Sequence, residues 1–350
     1  MTETADARAA ITATLIEAIG APVILIDAQG TIRALSPAAR SLISGLDTGK
    51  QLALVMRDPD LIDAIDDVAQ RGGRHVVELV ERVPVERTFR IHIVALEGDG
   101  RRHAAMLTFE DLSEQRMTER MRVDFVANAS HELRTPLASV LGFIETLQGP
   151  ARNDEAARGR FLGIMREQGL RMARLVDDLL SLSRIELRAH VTPQTPVDLA
   201  AIAREIVDSL MLLARGREVT IALDLPAQPL RVAGDRDELL RLMENLIENA
   251  IKYGRRGGRV EVTLASAGGE ASVAVRDDGQ GIAPEHLPRL TERFYRIDTA
   301  QSRETGGTGL GLAIVKHIVL RHRGRLTIES VVGQGATFRA VLPALPQTPG

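Results

Sequence analysis

The sequence predicts a multidomain chain of three units in series: a small α+β unit, an antiparallel helical hairpin, and a second α+β unit with helices packed on a mixed sheet. Three observations carry this. Residues 1–110 alternate short apolar strands with turn signals. Over residues 111–190 the apolar period changes to the three-four spacing of bundle helices. After the two-proline linker "RAHVTPQTPVDLA", strands and strong helices interleave through residues 198–345. With 350 residues, 44% of them hydrophobic and 26% charged, the chain has apolar material for more than one core.

In the first unit, "PVILIDAQGTIRAL" reads as two strands around an Asp-Ala-Gln-Gly turn. "RTFRIHIVAL" and "RRHAAMLTFED" are further strands split by an "EGDG" turn, and "DLIDAIDDVAQ" supplies a helix before them. This order resembles a PAS sensory domain.

The hairpin begins with a seam of Val126, Ala129, Leu133, Leu137, Val140, Ile144 and Leu147. The polar break "QGPARNDE" ends that helix. A second then carries Phe161, Met165, Met172, Leu175, Leu179 and Leu182, with Gln168 interrupting. One hairpin buries only part of such a stripe, so two hairpins packing as a dimeric four-helix bundle is the economical arrangement. His131 lies about 200° around the helix from both Ala129 and Leu133, which turns its ring to solvent. Glu132 adjoins it and can accept or orient a ring proton. Pro136 cannot supply the amide that would bond the Glu132 carbonyl, so a bend is expected just after the pair. A histidine on a helix is ordinarily a bland surface residue. An exposed histidine-carboxylate pair beside a proline suits accepting and passing on a group from a large donor.

"SHELRTPL" resembles the phosphoacceptor box of sensor histidine kinases. The resemblance implies that His131 is phosphorylated, that Glu132 is its acid/base partner, and that Thr135 orients water for dephosphorylating the partner protein. A plain helix-surface hydroxyl is the competing reading of Thr135.

The C-terminal unit reads independently. In "ENLIENAIKYG", Asn245 and Asn249 share a helix face, and their amide oxygens are hard, neutral ligands suited to Mg2+. Lys252 can reach phosphate as a point charge, and Tyr253 offers a ring to a nucleotide. In "VRDDGQGI" a strand ends on Asp277, which can accept from an exocyclic amine such as that of adenine, while Gly279 and Gly281 let backbone approach a ligand. "GGTGLGLAIVKHI" puts Gly307, Thr308, Gly309, Leu310 and Gly311 directly before an apolar helix, where phosphate binds by the helix N-terminus. It fits neither a P-loop nor a Rossmann turn. Between the glycine motifs, "TERFYRIDTAQSRETG" has the profile of a mobile lid. In order and spacing these segments resemble the boxes of the Bergerat-type ATP-binding fold, an α/β sandwich. That resemblance adds Phe294 to the nucleotide residues and spans nearly everything from 120 to 343.

Together the resemblances imply an ATP- and Mg2+-dependent protein-histidine kinase that autophosphorylates and transfers the group to an aspartate on a response regulator receiver domain, as a homodimer. A second class shares the nucleotide fold: ATPases of the gyrase, Hsp90 or MutL kind. Those carry a glutamate base four residues before the metal-binding Asn. Here that position is Asn245, and an amide cannot take a proton from water. A non-catalytic signalling scaffold is disfavoured because each nucleotide-box residue is present. The stretch from "RMTERMRVDFVANAS" onward resembles the phosphate-regulon sensor type, which implies phosphate-starvation signalling.

Composition narrows the classes further. There is no cysteine, which excludes disulfides and thiolate chemistry. A net charge of -3 offers no electrostatic case for nucleic acid. Lysine occurs only at 50, 252 and 316 and tyrosine only at 253 and 295, which draws attention to the Lys252–Tyr253 pair. No apolar run reaches the roughly 18–20 residues of a membrane span, and the N-terminus lacks the cationic start of a secretory signal. The chain as it stands is therefore expected in the cytoplasm. Membrane attachment enters only if the native chain is longer, as the cytoplasmic portion of an inner-membrane protein.

Overall fold

A computed structural model describes residues 14–43, 45–81, 86–96, 103–297 and 307–346, and side-chain caps start several of its helices. The "EGDG" turn and the second half of the expected lid lie outside the described residues. The chain divides into two compact units, residues 1–124 and 125–350.

The first unit is a five-stranded antiparallel sheet in the order β2-β1-β5-β4-β3. Its strands are β1 (Val23–Ile26), β2 (Ile32–Leu35), β3 (Arg74–Glu81), β4 (Arg87–Leu96) and β5 (Ala104–Asp111). Between β2 and β3 come α1 (Pro37–Leu42), α2 (Leu52–Val55) and α3 (Pro59–Arg71). Helix α3 starts where Asp58 accepts the Leu61 N–H at 3.1 Å with Pro59 in the first turn, and it stops at Gly72. It lays Leu61, Ala64 and Val68 on Phe89, Ile91, Ile93 and Leu107 of the sheet. Strand β3 goes beyond the sequence expectation. Its apolar residues fall on both faces, with Val77 buried and Val76 and Val80 exposed, and this blurs the two-residue period.

Helix α4 (Ser113–Gln148) starts in the first unit and continues into the second. It runs through Pro136 as one helical span, so the expected bend does not divide it. Helix α5 (Glu155–Leu187) begins where Asp154 accepts the Ala157 N–H at 2.9 Å. The hairpin therefore turns in the "QGPARNDE" break, as its polarity predicts.

The expected bundle seam needs one correction. Leu175 and Leu182, with Ile185, are buried in the core of the second unit and are not left for a bundle. They pack there because α5 lies along the last helix of that unit. Leu133 and Leu179 of the seam also pack against that core, whereas Val126 and Leu137 stay about half exposed, as do Leu141, Leu162, Leu170 and Leu180 beside the seam.

The sheet of the second unit has the order β11-β12-β10-β9-β7. Strand β7 (Thr220–Asp224) runs parallel to β9 (Arg259–Ala267), and the remaining pairs, with β10 (Glu270–Asp277), β11 (Arg325–Ser330) and β12 (Ala336–Pro343), are antiparallel. Against it pack α6 (Leu199–Gly216), α7 (Arg236–Tyr253) and α8 (Gly311–Arg321). Two short strands, β6 (Pro196–Asp198) and β8 (Arg231–Ala233), pair beside them. The segment expected as linker thus contains β6 and the first residues of α6. Strands of three residues are too short to show a period. Helix α6 starts immediately after the prolines, capped by Asp198, which accepts the Ala200 N–H at 3.0 Å.

Arg321 ties the end of α5 to this unit, donating from Nε to the carbonyls of Arg188 and Val191 at 3.1 Å each and facing Glu238. Beside it His322 is 3% exposed. Its Nε2 accepts the Asp235 N–H at 3.1 Å, so Nδ1 carries the proton and donates to the Ile318 carbonyl at 2.8 Å. Burial pushes its pKa below the ordinary 6.5, against the opposing pull of Glu238. The neutral ring is the folded form, so its contribution is fully present above pH 6.5 and is lost as pH falls through the depressed folded value. Thermal melts at pH 7.5 and 5.5 should therefore show a larger drop for wild type than for His322→Gln, which keeps an acceptor but cannot titrate. Equal drops would overturn this.

Candidate active site

Helix α7 presents the amides. Asp235 caps it by accepting the Asp237 and Glu238 N–H groups, and acidic residues in its first turn match the helix dipole. Leu239, Leu242, Met243, Leu246, Ile247, Ala250 and Ile251 are buried, which leaves Asn245, Asn249, Lys252 and Tyr253 along a cavity of about 410 Å3. That volume is in the range of small-molecule sites. The Asn245 amide is oriented: Nδ2 donates to the Arg241 carbonyl at 2.8 Å, and Oδ1 faces Gly311, where any Cβ would collide with it. Lys252, expected to reach phosphate, pairs with Glu248 at 2.9 Å within the cavity wall.

Asp277 ends β10 in the same wall, 6% exposed. Its Oδ1 accepts the Gly279 N–H at 2.9 Å, and burial raises its pKa above the ordinary carboxylate value. Gly281 has a φ of 69° and lies against the Val331 carbonyl, so a side chain there would be both strained and blocked.

Gly307, Thr308, Gly309 and Gly311 line the cavity at the start of α8. Gly309 has a φ of 72°, and a Cβ on it would come within 2.9 Å of the Phe294 backbone. Three expected nucleotide residues sit elsewhere. Phe294 does not line the cavity: it is tied to the glycine loop, its N–H donating to the Gly309 carbonyl at 2.8 Å, and its ring lies 5.9 Å from that of Phe125. Leu310 is fully buried, and Gly279 lies so close to the Tyr253 carbonyl that a Cβ there would collide with it.

His131 is exposed on α4 and is not part of the cavity lining. Glu132, expected to take or orient the ring proton, is engaged by two arginines: Arg171 of α5 at 3.1 Å and Arg296 at 3.2 Å. Arg296 is itself cavity-lining, and its side chain is 7% exposed. Burial lowers its pKa, against the attraction of Glu132. Thr135 Oγ1 donates to the His131 carbonyl at 3.3 Å. Tyr295, the second of the two tyrosines, also lines the cavity, held by His286 Nδ1 at 2.8 Å and by the Arg289 guanidinium 4.3 Å above its ring. Sequence reasoning did not assign Arg296 or Tyr295; the rarity of tyrosine was the available signal for the latter.

Among the described residues no group of three or more His, Asp or Glu could hold a metal ion. The donor set fits Mg2+ differently. Asn245 and Asn249 offer neutral oxygens to an ion that keeps waters and phosphate oxygens as its other ligands.

Residues 121–188 match the His Kinase A (phospho-acceptor) domain, and residues 234–346 match the histidine kinase-, DNA gyrase B-, and HSP90-like ATPase family. The chain is 38% identical over 320 residues to the phosphate regulon sensor protein PhoR of Pseudomonas aeruginosa, covering 90% of this chain and 70% of that one. It is 39% identical to the sensor-like histidine kinase SenX3 of Mycobacterium tuberculosis over 73% of this chain and 61% of the relative. Part of each relative's length thus has no counterpart here. The structure of histidine kinase ThkA in complex with response regulator protein TrrA is alike in fold, with a TM-score of 0.52, 20% identity, and coverage of 95% of this chain and 98% of that one. No helix among the described residues is long and apolar enough to cross a membrane. With both matched segments in order and a 38% identical relative along nine-tenths of its length, the chain belongs to the sensor histidine kinases, the ATP-dependent protein-histidine kinases of two-component systems.

Proposed function

We propose that the chain transfers the γ-phosphoryl group of ATP to His131 and passes it to an aspartate on a response regulator receiver domain. The observation that carries this is the link from phosphoacceptor to cavity: Glu132, beside the exposed His131, is bonded to Arg296, which lines the cavity with Asn245 and Asn249. A ring nitrogen of His131 attacks the γ-phosphorus, the N–P bond forms as the P–O bond to ADP breaks, and the ring proton passes to Glu132 once its arginines release it. Asn245 and Asn249 would hold Mg2+, which when bound neutralises charge on the phosphates. Asp277 accepts from the adenine amine, Lys252 and the α8 N-terminus face phosphate, and Tyr253 lies against the nucleotide. Incubation with γ-labelled ATP tests the reading. Label that is acid-labile and alkali-stable is expected, and acid-stable label or none overturns it.

The regulatory reading rests on likeness. The relation to PhoR supports phosphate signalling, and the complex of ThkA with TrrA supports a receiver domain as the partner. Three domains are proposed: 1–110 sensory, 111–190 dimerisation and phosphotransfer, and 198–345 ATP-binding. The antiparallel sheet with helices between its second and third strands supports a PAS assignment for the first. A cytoplasmic place, as the inner part of a longer membrane sensor, agrees with the relatives' greater length.

The half-exposed apolar residues along α4 and α5 support a homodimer through residues 111–190. Light scattering at tens of micromolar should give twice the chain mass, and a monomer would count against the bundle. Thr135 is proposed to hold water in line with the regulator's aspartyl phosphate. Thr135→Ala should leave autophosphorylation and phosphotransfer within a few-fold. It should slow regulator dephosphorylation by about one to two orders of magnitude, or about 1.4–2.7 kcal/mol of barrier. No change in any rate would leave Thr135 a surface hydroxyl bonded to His131, and a joint fall of all rates with melting temperature would make it structural.

A further inference from the structure

Three residues of the hairpin, Arg174, Asp177 and Asp178, line the same cavity as Asn245, Asn249 and Thr308. The phosphotransfer scheme gives them no part. Asp178 is distinguished by its partners. Its Oδ2 accepts the Thr308 hydroxyl at 2.7 Å, and its Oδ1 accepts the Arg241 guanidinium at 2.7 Å. The pair is withdrawn from solvent, with the Asp178 side chain 17% and the Arg241 side chain 28% exposed.

Both donors belong to elements that build the nucleotide cavity. Thr308 stands in the glycine loop, where its Oγ1 also accepts the Leu310 N–H at 3.3 Å at the start of α8. Arg241 lies one turn before Asn245 and fixes that amide through its carbonyl. One carboxylate from α5 therefore occupies a hydroxyl and a guanidinium at once. Those are the donor types that bind phosphate oxygens in short, charge-assisted bonds. The carboxylate also puts negative charge in the wall of a cavity meant for a polyanion.

We propose that Asp178 is a positioning residue that competes with a polyphosphate chain for Thr308 and Arg241, so that hairpin docking and triphosphate binding oppose one another. This rests on reading the cavity as the ATP site. The opposition is reciprocal by linkage: phosphate that takes the two donors frees α5, and a hairpin that holds them weakens ATP. Release of this contact then accompanies the rearrangement that must bring His131, which is outside the cavity lining, to the γ-phosphate.

The test uses the full chain, with titration calorimetry of ATP and of adenosine. Adenosine fills the base and sugar subsites but makes no demand on Thr308 or Arg241. Asp178→Asn, and Asp178→Ser as a second variant, should bind ATP about fivefold or more tighter than wild type while binding adenosine equally. In wild type, ATP but not adenosine should speed amide exchange over residues 174–184. Equal ATP affinity in all three chains overturns the competition. Equal gains for ATP and adenosine overturn it too, because they mark a general loosening. Parallel losses for both ligands with a lowered melting temperature make Asp178 a structural brace and overturn it as well. ATP that binds none of the chains overturns the cavity reading itself.

Discussion

His131→Ala should abolish acid-labile labelling from γ-labelled ATP, a loss of at least about a thousandfold, because alanine offers no nucleophile and no neighbour can replace one. The side chain is exposed and lies in a continuous helix, so its removal creates no cavity and the fold should persist. Nucleotide affinity should stay near wild type, since His131 does not line the cavity. Labelling with ATP alongside a binding titration separates the two roles. Persistent acid-labile label on the variant would remove His131 as the acceptor.

What was legible in the sequence follows the range of the interactions. Asn245 and Asn249 declare themselves because a four-residue spacing places them on one helix edge, whatever else the chain does. The glycines before α8 declare themselves because a helix N-terminus with no side chains in the way suits phosphate. The exposure of His131 follows from its angle to the seam. The partners of these residues were not legible. Glu132 meets Arg171 and Arg296, 39 and 164 residues away, and Thr308 meets Asp178 at a separation of 130. No local pattern encodes such pairs. They come from the hairpin folding back on itself and packing on the second unit, the same packing that takes Leu175 and Leu182 out of the expected seam. Phe294 shows a related limit. The family resemblance implied a nucleotide contact, whereas Phe294, with a φ of 64°, is bonded to the Gly309 carbonyl and does not line the cavity.

Asp277→Asn should separate binding from stability in opposite directions. The carboxylate ends β10 at 6% exposure, one oxygen taken by the Gly279 N–H, and burial holds its pKa above the ordinary 3.8. For a group with a raised folded pKa, stability is fully present below the unfolded value and is lost as pH rises through the folded one. At neutral pH the charged Asp277 therefore weakens the fold without nucleotide. Asparagine can keep the acceptor for Gly279 while removing that charge. Its melting temperature should thus exceed wild type at pH 7, and the gap should narrow as pH falls through the raised folded value of Asp277. Binding should move the other way. The second carboxylate oxygen becomes an amide N–H2, which presents donors to the exocyclic amine of adenine where an acceptor is needed. A mismatched polar pair in a closed site costs about 1.4–2.7 kcal/mol, so ATP affinity should fall roughly ten- to a hundredfold. Calorimetric titration with ATP and melts at pH 7 and 4 read both quantities from one variant. Unchanged ATP affinity would take Asp277 out of base recognition. A fall in both affinity and melting temperature would mean that the ionised side chain braces the Gly279 turn, and its value in binding would then be indirect.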